Sequence, residues 1–191
     1  MDRYLQEDFK KSMKIRLNFN NMMKKFVGEE GLDEADLAKL AGKIDAMEKA
    51  MVEKRKNGGM DWRDLPYNQD DVVEDIIQYA ESVKDEFEAF VVLGIGGSAL
   101  GPIALQQAVN HPFYNELPRE KRGGWPKFYV ADNVDPERLV YLFDIIDPAK
   151  SLFNVVSKSG GTSETMSQFM IIKEMLEEKL GKCPAAALLA G

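Results

Sequence analysis

Hydrophobic and polar positions follow two different periods on either side of residue 90. Upstream, in residues 32–59, "LDEADLAKLAGKIDAMEKAMVEKRKNGG", Leu37, Leu40, Ile44, Met47 and Met51 stand three or four apart. That spacing predicts an amphipathic helix, capped by Asp33 and stopped at Gly58-Gly59, with an apolar face in search of a surface. Residues 60–69, "MDWRDLPYNQ", interrupt the period with Pro66 and polar side chains and predict a linker or an ordered loop. A second helix is predicted over about residues 70–87, with Val73, Ile76, Ile77, Ala80 and Val83 on its apolar face.

From residue 90 the pattern changes to short β-branched runs. "FVVLGI" (90–95), "KFYVAD" (127–132) and "LFNVVS" (152–157) are apolar without strict alternation, as strands buried on both faces are. Helical patterns separate them over residues 102–110, 136–146 and 164–180, the last with Met166, Phe169, Met170 and Leu176 as its apolar face. Strand and helix in alternation predict an α/β fold, a three-layer doubly wound parallel sheet of three strands preceded by N-terminal helices. The organisation expected is an N-terminal helical segment over 1–68, an α/β domain over 69–182, and a tail over 183–191.

Composition narrows the possible functions. A chain of 191 residues suits one α/β core with an extension, and 45% hydrophobic with 30% charged residues is the balance of a soluble globular protein. A formal net charge of -7 argues against non-specific nucleic-acid binding, though a local basic site for a small anion is compatible with it. No run of eighteen apolar residues and no basic-then-apolar leader occurs, so no membrane role is expected and a cytoplasmic location is. One cysteine, Cys183, and one histidine, His111, leave no CxxC-type or histidine-rich metal site; neither metal nor cofactor is expected.

Two of the three strand ends carry candidate chemistry. "GIGGSALGP" (94–102) puts Gly94, Gly96, Gly97 and Ser98 directly after the first strand, where glycine lets a ligand approach the backbone and a helix start offers free N–H groups. "VVSKSGGTSETM" (155–166) follows the third strand with Ser157, Lys158, Ser159, Thr162, Ser163 and Thr165 around Gly160-Gly161. An ordinary helix cap, with Thr162 at the N-cap and Glu164 in the first turn, needs one hydroxyl; this segment has five. Many donors at a helix N-terminus suit a phosphate dianion. The glycines also match a loose dinucleotide fingerprint, but the acidic residue at the next strand end, Asp132, stands well beyond the expected spacing of about twenty residues. No Gly-Lys-Ser or Gly-Lys-Thr occurs, which argues against a kinase-type phosphate loop.

"GIGGSALGP" with "SKSGGTSET", together with "DWRDLP" (61–66) and "DNVDP" (132–136), resembles the sugar-isomerase (SIS) fold and specifically the glucose-6-phosphate isomerase family of bacterial type. The resemblance spans about residues 60–180. It implies interconversion of glucose 6-phosphate and fructose 6-phosphate, a step of glycolysis and gluconeogenesis, and a sugar-phosphate substrate. It also implies a phosphate site in which Gly97 and Ser98 serve the first turn, and Ser157, Lys158, Ser159 and Thr162 the second loop. Gly161 stands where many relatives have threonine. The family's catalytic glutamate, histidine, lysine and arginine lie further along a chain more than twice this length, so no catalytic residue is assigned here. His111 matches none of their motifs and reads as a surface residue, and Glu164 as orienting the loop.

By the same resemblance the full-length enzyme is a homodimer, its first SIS domain has five strands, and "CPAAALLAG" reads as a truncated or frameshifted end, leaving the chain inactive alone. Two alternatives stay open. A non-catalytic sugar-phosphate-sensing domain of a regulator would carry a DNA-binding helix pair, and a dinucleotide-dependent oxidoreductase would bind NADH tightly.

Overall fold

The chain divides into a helical unit, Met1–Gln69, and an α/β unit, Asp70–Gly191. The computed structural model describes residues 6–181 and the backbone of residues 188–190. In the first unit, α1 (Glu7–Ser12) and α2 (Lys24–Val27) precede α3 (Glu34–Lys56). Asp33 caps α3 as its sequence position predicts. Its carboxylate accepts from the Asp36 N–H at 2.8 Å while the Asp36 carboxylate accepts from the Asp33 N–H at 3.2 Å, so two end donors are satisfied reciprocally. The apolar stripe of α3 is solvent-exposed from Leu37 to Met51. In the "DWRDLP" segment Asp64 accepts from Nε of Arg55 at 2.9 Å, pinning the turn after α3 to its last turn.

The second unit alternates α4 (Asp70–Val83), β1 (Ala89–Leu93), α5 (Gly97–Val109), β2 (Lys127–Ala131), α6 (Pro136–Ile145), β3 (Ser151–Val155), α7 (Ser163–Leu180) and β4 (Leu188–Ala190). All strand pairs are parallel, in the order β2-β1-β3-β4. On one face Val91, Leu93, Phe153 and Val155 meet Ile172 and Leu176 of α7, with Leu139, Leu142 and Phe143 of α6 packed beside them. On the other, Phe90, Phe128 and Leu152 line a cavity shared with Val72, Ile76, Tyr79 and Val83 of α4. Helices thus cover both faces, and the doubly wound α/β architecture expected from the period change is present.

Several details differ from expectation. The second helix ends at Val83 rather than 87, because Arg119 donates to the carbonyls of Lys84 and Phe87 and turns the chain into β1. α5 begins at Gly97 rather than 102, so Pro102 stands inside it and its missing N–H leaves the Ser98 carbonyl without that ladder bond. The buried stripe of α7 is Thr165, Gln168, Ile172 and Leu176, leaving Met170 64% exposed, because the sheet contacts the helix a third of a turn from the sequence-derived face. Three strands become four: β4 pairs with β3 in the register Phe153↔Leu188 to Val155↔Ala190, within the stretch expected to be a separate tail. Residues 182–187, with Cys183, lie outside the described residues.

The free edge of β2 is covered by a side chain. Asn115, in the 3-10 turn Tyr114–Glu116, donates from Nδ2 to the Phe128 carbonyl at 2.7 Å and accepts the Phe128 N–H at 2.8 Å. One amide thereby stands in for a neighbouring strand.

Candidate functional site

Strand order decides where the loops meet. From β1 the chain crosses to β2 on one side, and from β2 it returns past β1 to β3 on the other, so the topological switch point lies between β1 and β3. Leu93 and Val155 are register partners, and the Val156 N–H donates to the Leu93 carbonyl at 2.9 Å. The glycine turn and the hydroxyl-rich loop therefore leave the sheet side by side. Sixty residues of sequence separate them; one strand spacing, about 4.8 Å, separates the strands that carry them.

In the glycine turn, a Cβ on Gly94 would lie 2.9 Å from Cβ of Ser98, so the close approach admits no side chain. Gly96 sits at φ 55 and forms the N-cap of α5, where any larger residue would be strained. Gly97 is exposed and Ser98 half-buried, and no acceptor among the described residues takes the Gly97 N–H. The Gly97 amide is therefore free for an anion, while the Ser98 N–H donates to the Ile95 carbonyl at 3.1 Å.

The second loop is organised by Ser157. Its Oγ accepts the Gly160 N–H at 3.0 Å and lies 3.2 Å from Oγ1 of Thr162, while Oγ of Ser159 accepts the Gly161 N–H at 3.3 Å. Gly160, at φ 68, supplies the left-handed turn. Thr162 occupies the N-cap of α7, as expected, yet its hydroxyl makes no capping bond and turns to Ser157 instead. The first-turn N–H groups of Ser163 and Glu164 have no acceptor among the described residues. Lys158 is exposed and has no ion-pair partner among the described residues, which leaves its ammonium available to an anion.

All six residues singled out from sequence, Gly97, Ser98, Ser157, Lys158, Ser159 and Thr162, lie in these two adjacent segments. His111 does not. It follows the C-terminal end of α5, away from the strand ends that bear the loops, and its Nδ1 accepts the Phe113 N–H at 3.0 Å. Asp132, the candidate ribose ligand, is paired with Nη1 of Arg138 at 2.8 Å. Thr165, counted from sequence among the five hydroxyls of the second loop, is turned away from it. It is 1% exposed, and its Oγ1 has no hydrogen-bond partner among the described residues.

A family model for phosphoglucose isomerase matches residues 70–189, which takes in β1 to β3, most of β4 and both loops. The chain belongs to the phosphoglucose isomerase family. It is 45% identical over 170 residues to a glucose-6-phosphate isomerase of Carboxydothermus hydrogenoformans, a match covering 89% of this chain and 36% of that protein. A glucose-6-phosphate isomerase of Rubrobacter xylanophilus is 49% identical over 106 residues, covering 55% of this chain and 24% of the relative. The crystal structure of a hypothetical protein from Thermus thermophilus superposes with a TM-score of 0.62 at 29% identity, over 82% of this chain and 40% of that one. The chain thus spans about a third of the length of these relatives. Within this family member the crevice falls inside the matched region, and the first 69 residues fall outside it.

Among the described residues no three or more His, Cys, Asp or Glu side chains gather to hold a metal ion. No described helix is long and apolar enough to cross a membrane.

Proposed function

We propose that residues 94–98 and 157–163 cradle the phosphate of glucose 6-phosphate or fructose 6-phosphate, and that the chain anchors this substrate for aldose-ketose isomerisation. The adjacency of β1 and β3 carries the reading, because it brings two donor-rich loops to one switch point. Gly97 contributes a backbone donor and Ser98 a hydroxyl from one side. Ser157, Ser159 and Thr162 contribute hydroxyls from the other, and Lys158 the positive charge. The Ser163 and Glu164 amides add the start of α7, whose dipole favours a dianion.

Isomerisation moves a proton between C1 and C2 of the opened sugar, at the far end of the substrate from its phosphate, and needs a general base and oxyanion stabilisation. Glu164 directly follows the second segment, and its place in the first turn of α7 suits it to orienting the loop. The anchoring residues act by holding the substrate, so that binding energy from the unreacting phosphate serves the reacting end. The chain alone is therefore inactive in this reading. It works in the cytoplasm, and as part of a homodimer in the full-length enzyme.

The test is an NMR titration of isotope-labelled protein with fructose 6-phosphate and, separately, with NADH. The amides of residues 94–98 and 157–162 shift together with the sugar phosphate and ignore NADH. Ser157→Ala, which removes the hub of the second loop, weakens binding about tenfold. A folded protein in which neither loop responds to the sugar phosphate overturns the reading.

A further inference from the structure

Buried hydroxyls are almost always hydrogen-bonded, because an unmade bond leaves the full desolvation cost uncompensated. Thr165 departs from that rule. Its Oγ1 is shut off from solvent and is the one buried side-chain polar atom without a partner among the described residues. Its position is not arbitrary. Thr165 lies in the first turn of α7, three residues after the N-cap Thr162, on the helix face that continues through Phe169, Ile172 and Leu176 onto the sheet. Because α7 follows β3 after a short loop and packs back along the sheet, this first turn adjoins the C-terminal ends of β1 and β3. The orphan hydroxyl therefore sits beneath the crevice, behind the residues that would touch the phosphate.

The two loops above it are joined to each other by no hydrogen bond among the described residues between 95–98 and 157–162. Each is organised within itself. An anion taking donors from both would bridge them.

We propose that Thr165 is a positioning residue of the phosphate site, whose hydroxyl gains its hydrogen bond, to the backbone of the loops above it, only when the anion is bound. This rests on the phosphate reading of the two loops. The unmade bond is thus a cost carried by the free protein and relieved on binding. Thr165 itself touches no ligand, since its Oγ1 has no access to the crevice surface.

Thr165→Val removes the hydroxyl and keeps the shape, and Thr165→Ser keeps the hydroxyl and removes the methyl. Thermal unfolding without ligand, and calorimetric titration with fructose 6-phosphate and with inorganic phosphate, separate the possibilities. The expected result is a Thr165→Val protein with a higher unliganded Tm and about tenfold weaker binding of both probes, with Thr165→Ser binding as the wild type does. Wild-type affinity in Thr165→Val overturns the proposal, because the hydroxyl is then a structural orphan. A lower unliganded Tm in Thr165→Val also overturns it, because the hydroxyl is then already bonded in the free protein. A wild-type protein that binds neither probe overturns the phosphate reading itself, and this inference with it.

Discussion

Ser157 illustrates how far a residue type predicts a role. Its hydroxyl was legible as one of five in a short loop, but only the fold turns it into the hub that accepts the Gly160 N–H and pairs with Thr162 Oγ1. Asp147 shows the same gap for charge. Nothing in the sequence joins it to Lys179, 32 residues away, yet Nζ of Lys179 donates to its carboxylate at 2.7 Å. That bond, followed by the one from the Ala149 N–H, holds the Asp147 carboxyl below its ordinary value. A lowered folded-state pKa stabilises the fold above the unfolded value of about 3.9 and loses that contribution as pH falls through the folded one. Both side chains are well exposed, 49% for Lys179 and 39% for Asp147, so the effect is small and weakened by salt. Asp147→Asn, which keeps an acceptor for Ala149, lowers the urea midpoint at pH 6. The gap from wild type closes as the pH drops below roughly 4, and equal midpoints at every pH contradict the pairing.

At the scale of elements, the edge of β2 depends on one amide. Asn115 pairs with both backbone groups of Phe128, and Ala in its place leaves a donor and an acceptor open at the sheet edge. Asn115→Ala costs about 1–3 kcal/mol in urea unfolding and increases self-association in sedimentation velocity, because an open edge templates pairing with another chain. Unchanged stability and an unchanged sedimentation profile contradict the capping role. Residues 110–126 join α5 to β2 without helical or strand period. They form an ordered cover, held by Arg122, which is 9% exposed and donates to the carbonyls of Leu117 and Trp125. Long-range side-chain to backbone bonds of this kind leave no periodic trace along the chain.

At the scale of the whole molecule, the apolar face of α4 is left partly open. Val72, Val73, Ile76 and Ile77 are each about half exposed or more, beside a cavity of about 710 Å³ between α4 and the sheet. Apolar area of that kind drives association in water. Sedimentation equilibrium is expected to show reversible self-association, and Ile76→Lys, which adds a charge to the face without touching the β1–β3 crevice, to shift it toward monomer. A monomer at every concentration contradicts this.

The sequence by itself determined the alternation of helix and strand, the buried parallel character of residues 89–93 and 151–155, the Asp33 cap and the two donor-rich segments. Each is written in local periodicity or in residue types a few positions apart. The adjacency of those segments was decided only by the tertiary structure, because strand order is set by pairing across the sheet and not by spacing along the chain. The fourth strand, the Asn115 edge cap and the Asp147–Lys179 pair likewise depend on contacts made only when distant segments pack. So does the orphaned hydroxyl of Thr165: the sequence shows a threonine in a polar loop, and packing against the sheet removes its water without supplying a partner.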